Sequence, residues 1–352
     1  MSAFEKLKDG FSQIIQSKPV QLHFLENDKG LAVGICNYGA RITHFFIPDE
    51  NNTDIVLGFN NLDGYLNAME RYHGVTVGPY ANRINNAQFT LEHTTYQLEI
   101  NNGKNSLHSG TTGFHHKIWD ILEVKKNAIT LEVTNSDGEG GFPGNLNVQI
   151  TFTLNNDNEL KMDYSAVSDQ NTVINLTNHA YFNLNGEGSG TILNHHVKID
   201  ADEFVAIDET CIPTGELINV EDNPFDFRTF KTIGQQITEE NKQLLMGAGY
   251  DHSFVLNKNE NEFNFAAAAV GDLTGITLEV YTTEPAMQFY SGNFLNDQDK
   301  GKMDKSYKAR TGFCFETQHH PDSPNQPQFP STYLKANQAF KSATVYKVII
   351  PE

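Results

Sequence analysis

The sequence predicts an all-β chain, a large antiparallel β-sandwich with few short helices. Three observations point there. Period-two alternation of apolar and polar residues recurs along the whole chain. Clusters of Gly, Asn, Asp and Pro separate the alternating runs, and Asn alone exceeds one residue in ten. No strand–helix–strand rhythm appears, which argues against a parallel sheet, and no fixed repeat suggests a propeller or solenoid.

In chain order, Phe4 to Ile15 reads as an amphipathic helix and Asp63 to Arg71 as a short second one. Ile129-Thr130-Leu131-Glu132-Val133 alternates as a strand. Val148, Ile150, Phe152 and Leu154 alternate with Asn147, Gln149, Thr151 and Thr153; after the turn Asn155-Asn156-Asp157-Asn158, Leu160, Met162, Tyr164 and Ala166 alternate again. That is a hairpin with one buried face. A third helix is expected over Ile237 to Met246. Ile276 to Val280 and Thr344 to Ile350 read as strands.

The 352 residues suit about two domains by length alone, yet no Pro/Ser-rich linker divides them. The chain therefore reads as a single domain over 1–352, with 1–18 a peripheral N-terminal helix. The longest apolar run, Phe265 to Val270, spans six residues, against the ~20 needed by a membrane helix. Twenty-five basic and 44 acidic residues leave a net charge of −19, which repels phosphate backbones and anionic membranes and tolerates a neutral sugar. Nucleic-acid and membrane partners are not expected. Cys36, Cys211 and Cys314 are odd in number and form no CxxC, so no disulfide framework is written. With an N-terminus lacking the apolar core of a signal peptide, this favours the cytoplasm.

GxSxG, Walker, HExxH and GxGxxG motifs are absent. Three adjacent pairs, His115-His116, His195-His196 and His319-His320, make poor chelates on strands, where neighbours face opposite ways; no metal is expected. Two segments carry more chemistry. In Ile174 to Leu184, strand parity puts Asn175, Thr177, His179 and Tyr181 on one face and Ile174 and Leu176 on the other. In Gly312 to Gln318, Phe313 and Phe315 face a core while Glu316 and Gln318 face away. Meeting on one sheet floor, these segments offer an acid and a base; spacing alone does not bring them together.

The runs GVTVGPYANRI (74–84), INNGKNSLHSG (100–110), NHAYFNL (178–184), YDHSFVL (250–256) and ETQHHPDSPNQPQFPST (316–332) resemble aldose 1-epimerases, the galactose mutarotases. The resemblance covers about Gly30 to Tyr346. It implies a galactose mutarotase-like supersandwich and interconversion of α and β anomers of free aldohexoses by ring opening, C1–C2 rotation and reclosure. It assigns His179 as general acid and Glu316 as general base, with Asn82, Arg83, His108, Asp251 and Gln288 as substrate-binding residues, and Tyr181, two residues past His179, is expected to line the same cleft and bind substrate with them. It implies no cofactor, a monosaccharide as partner, and a monomer or homodimer. Alternatives sharing the architecture are a hexose-6-phosphate mutarotase, a non-catalytic sugar-binding sandwich and a glycosidase- or lyase-type module; the last would want a carboxylate pair rather than His with Glu. In a chain carrying −19, the two histidines are expected to have raised pKa values.

Overall fold

The alternating runs pair with one another in a computed structural model that describes residues 3–259 and 262–351. Leu146–Leu154 and Glu159–Ser168 form the expected hairpin, Val148 opposite Ala166 and Leu154 opposite Leu160. They lie within a nine-stranded sheet running Asp120–Val124, Ala128–Asn135, Leu146–Leu154, Glu159–Ser168, Phe340–Ile349, Thr277–Thr282, Asn264–Val270, His196–Ile199 and Lys231–Thr232. Every neighbour is antiparallel.

A five-stranded sheet carries the chemistry. Its strands are β1 (Ala201–Ile207), β2 (Pro213–Asn219), β3 (Asp251–Leu256), β4 (Ala286–Tyr290) and β5 (Cys314–Gln318), in spatial order β2–β1–β3–β4–β5. Period two divides the side chains of β3 to β5. Phe254, Met287, Phe289 and Phe315 enter one continuous core with Leu131, Ile150, Met162, Leu278 and Val348 of the larger sheet. Ser253, Gln288 and Glu316, mutual register partners, point the other way. Phe313 also enters the core, as the parity of that segment requires.

Each expected helix is shorter than its pattern. The first spans Ala3–Phe11. It docks by Phe4 stacking on Phe24 at 4.3 Å and by fully buried Phe11. Gln13–Ile15 instead turns back onto Lys18–Val20 through left-handed Gln16 and Ser17, because β-branched Ile14 and Ile15 suit a strand. Residues 1 and 2 of the expected N-terminal helix lie outside the described residues. The second helix is Leu62–Asn67, capped by the Asn61 side chain accepting from the Gly64 N–H. It does not reach Arg71, because the Asp299 carboxylate takes the Met69 and Glu70 N–H groups at 2.8 and 2.9 Å and draws the chain out of the helix. The third is Lys242–Met246, starting only after Asn241, whose side chain accepts from the N–H of Gln243 and Leu244.

The 174–184 segment keeps its predicted parity with little regular ladder. Only Thr177–Asn178 pairs as a strand, with Thr76–Val77, while Phe182 and Phe313 exchange both backbone hydrogen bonds beside β5. Ile174, Leu176, Ala180, Phe182 and Leu184 fill the main core.

Candidate active site

Three strands of the five-stranded sheet, β3 to β5, and the loops above them converge on a cavity of about 460 Å³. Seven of the eight residues the sequence singles out line it: Asn82, Arg83, His108, His179, Tyr181, Asp251 and Glu316. Gln288 stands behind the wall. It is opposite Glu316 in the β4–β5 register, and its amide donates to Asp251 Oδ1 at 2.7 Å.

Local structure fixes each group. His179 is gripped through its backbone, its N–H donating to Val75 O and its C=O accepting from the Gly74 N–H. Its Nε2 lies 3.6 Å from Glu316 Oε1, with both side chains almost wholly buried. Its Nδ1 touches Cys314 Sγ at 3.5 Å. Tyr181 packs with its ring 5.0 Å from the imidazole. Asn82 adopts a left-handed conformation, which Asn tolerates better than most residues, and its Oδ1 accepts the Arg83 N–H at 2.9 Å. That turn aims Arg83 across the cavity, where Nη1 lies 3.6 Å from Asp251 Oδ2 and Nε donates to Asn102 Oδ1.

The same turn sets the protonation pattern of His108. The Asn82 N–H donates to His108 Nδ1 at 3.1 Å, so the neutral ring carries its hydrogen on Nε2. His108 is thus a fixed uncharged donor, its ring 5.4 Å from that of His179. Among the described residues, His108, His179 and Glu316 are also the group whose ligand atoms are close enough to hold a metal, within 4.8 Å. The His108 tautomer opposes that use: a metal on Nε2 would displace the hydrogen there and leave Nδ1 facing the Asn82 N–H only as an imidazolate. The three histidine pairs serve other ends. His195 Nε2 accepts the Leu184 N–H, His319 Nδ1 pairs with Glu284 at 2.7 Å, His320 Nδ1 meets Ser253 Oγ, and the rings of His115 and His116 pack 4.2 Å apart, tilted by 48°.

The expectation of raised histidine pKa values fails. Burial pushes His179 down to about 4, and burial together with the neighbouring His179 holds His108 well below its usual value. Glu316 goes the other way, raised well above the carboxylate range by burial and then by Asp251, with Arg83 opposing. Net charge acts at long range through salt and water, whereas desolvation acts at the atom.

Reasoning from sequence missed Glu70, Tyr72, Asn102, Tyr290 and Phe294, which also line the cavity. Tyr72 stacks on His179 at 5.7 Å and Phe294 on Tyr290 at 6.1 Å. Asn102 lies inside a recognised run, 100–110; Glu70 falls in the helix expected over 63–71, and Tyr72 lies between that helix and the run 74–84.

Residues 21–347 match the sequence profile of the family described as aldose 1-epimerase. The galactose mutarotase of Bos taurus is 42% identical over 325 residues, covering 92% of each chain. The aldose 1-epimerase of Escherichia coli (strain K12) is 34% identical, over 94% of this chain and 96% of its own. Among solved structures, an aldose epimerase homologue from C. elegans superposes with a TM-score of 0.86 at 30% identity, covering 95% of this chain and all of its own. With its fold and nearly its whole length in common with these proteins, the chain belongs to the aldose 1-epimerase family.

Proposed function

We propose that this chain interconverts the α and β anomers of free aldohexoses such as galactose and glucose, with Glu316 as general base and His179 as general acid. The observation that carries the reading is the 3.6 Å separation of His179 Nε2 and Glu316 Oε1. Anomerisation removes a proton from O1 and delivers one to the ring oxygen O5, two oxygens bonded to the same carbon. Acid and base must therefore stand close together on one side of C1. Carboxylates acting on a glycosidic bond stand farther apart, at about 5–9.5 Å.

The Glu316 carboxylate takes the O1 proton as C1=O1 forms and the C1–O5 bond breaks; O5 takes the proton from His179. Rotation about C1–C2 presents the other carbonyl face. O5 attacks C1, returns its proton to His179, and Glu316 gives its proton back to O1. The neutral Nε2–H donor of His108 holds an oxygen near the reacting carbon without adding charge. Asp251, braced by Gln288 and facing Arg83, supplies an acceptor and a donor fork for hydroxyls, and Asn82 and Tyr181 complete the wall. No cofactor enters the sequence of steps.

The pair holds one proton between two burial-shifted groups. Without sugar, burial favours the neutral arrangement. A hydroxyl donating to Glu316, with Arg83 nearby, favours the carboxylate, and the proton then sits on His179. The chain acts as one domain in cytoplasmic hexose and galactose metabolism, as a monomer or homodimer; three unpaired thiols suit that compartment. Polarimetry of freshly dissolved α-galactose and α-glucose tests the reading. Added protein must speed the approach to equilibrium rotation without changing its endpoint; an unchanged rate leaves a sugar-binding module.

A further inference from the structure

Glu70 is built into the cleft and the steps above leave it unused. It lines the cavity with Glu316 and His179. Its N–H is fixed by Asp299, and its own Oε1 accepts the Tyr72 N–H at 2.8 Å. Burial raises its pKa to about 7, against hydrogen bonds from Tyr72 N–H and the Tyr181 hydroxyl that favour the charged form. No basic side chain among the described residues pairs with it. Arg41, the nearby guanidinium, donates to the carbonyls of Tyr38, His73 and His115. A desolvated carboxylate without a cation keeps free acceptor capacity directed at whatever fills the cavity.

Sheet order gives its place along the sugar. Asp251 is on β3, Gln288 on β4 and Glu316 on the edge strand β5. The segment bearing His179 and Tyr181 continues beyond that edge, bonded to β5 through Phe182 and Phe313, and Glu70 bonds the Tyr72 N–H and the Tyr181 hydroxyl, whose rings both flank the His179 imidazole. Across the floor, Asp251 on β3 and Glu316 on β5 are followed by His179 on the next segment, with Glu70 against the two tyrosines that flank His179. With O1 at Glu316 and O5 at His179, one direction around the ring from C1 leads to C2 and C3, toward Asp251. The other passes O5 to C5 and its hydroxymethyl group, toward Glu70.

We propose that Glu70 is a specificity-determining residue that accepts a hydrogen bond from the C6 hydroxyl of an aldohexose and disfavours a phosphate at that carbon. The assignment rests on the anomerisation reading above. The test is the ratio of kcat/KM for galactose to that for 6-deoxygalactose, in wild type, Glu70→Ala and Glu70→Gln, with galactose 6-phosphate as competitor. A hydrogen bond to a charged group predicts a wild-type ratio of about tenfold or more. Glu70→Ala brings it to within about threefold. Glu70→Gln keeps an acceptor for the Tyr72 N–H and covers the case in which the alanine variant does not fold; it lowers the ratio at least about threefold and lowers Ki for the phosphate about tenfold. A wild-type ratio near one, or a ratio that neither variant changes, overturns the assignment. Turnover of neither sugar by wild type is a different result: it removes the epimerase reading, and this assignment falls with it.

Discussion

Acidification from pH 7.5 to 5 should destabilise this protein before its carboxylates are titrated, and buried histidines set the size of the effect. His44, His252 and His320 are held down to about 3, and His195 to about 4, chiefly by burial. All four are essentially inaccessible to solvent. Their folded pKa values lie below the unfolded value near 6.5. Between the two, the unfolded chain binds a proton that the folded chain refuses. Stability is thus fully present above about pH 6.5 and is lost as pH falls through that window. At pH 5 each group costs about 2 kcal/mol, together about 8 kcal/mol, against a total stability of about 5–15 kcal/mol. The cleft groups largely oppose one another there: Glu70 and Glu316 are raised and act with the opposite sign to His108 and His179. Thermal unfolding followed by circular dichroism at constant ionic strength should show Tm falling by roughly 10 °C between pH 7.5 and 5. Imidazole NMR signals of at least four histidines should stay neutral at pH 5 while the fold persists. A Tm flat to within about 3 °C over that range, or imidazoles that titrate together near 6.5, would refute the reasoning.

Glu316→Gln and His179→Asn should each lower kcat by at least ~10²-fold, because each removes a proton transfer; both side chains lie off the apolar face, so Tm should hold, and a folded variant keeping more than about a tenth of kcat contradicts the roles. The kcat/KM profile should form a broad bell: the acid limb marks a second proton entering the pair, near the depressed value of His179, about 4. The alkaline limb marks loss of the shared proton at the raised value of Glu316, both being apparent values of the couple. An acid limb at an unperturbed histidine value would mean that burial does not govern the site. Free glucose should exceed glucose 6-phosphate in kcat/KM by about tenfold, since Glu70, Glu209, Asp251 and Glu316 line the cavity with Arg83 as their single arginine; side-by-side assays at one ionic strength check this, and a preference for the phosphate reverses it.

The legible part of this protein was whatever is written locally. Alternation over 146–154 and 159–168 specifies both strands and their buried face, because a one-residue slip would turn Ile150 and Met162 to solvent. Strand parity likewise places Glu316 and His179 off the core side, and the quoted runs carry Asn82, Arg83, His108 and Asp251 of the cavity wall. Helix ends were not legible in the same way: hydrophobic spacing continues past Asn67 and begins before Asn241, and side-chain caps decide the boundary. Glu70 was invisible for a long-range reason. Its position depends on Asp299, 229 residues away, and on Tyr181. Gln288 was found but its task was not, since the 2.7 Å bond to Asp251 follows from the β3–β4 register.

Burial pushes the two central groups toward neutral imidazole and protonated carboxyl, against the states from which ring opening starts, and contacts made by the bound sugar must restore the charged pair. In water a carboxylate is a weak base and an imidazolium a moderate acid, with a gap of about two pKa units that keeps the proton on imidazole. Desolvation penalises both charges, lowering His179 and raising Glu316, so the preference narrows and then reverses. A reversible isomerisation benefits from this. The group that donates to O5 on opening must accept from O5 on closing, and the α-to-β and β-to-α directions use the same states. A pair with a large fixed preference would make one half of the cycle easy and the other slow. A bound hydroxyl and Arg83 favour the Glu316 carboxylate, offsetting the reversal that burial, Asp251 and Glu70 impose and moving the pair back toward balance.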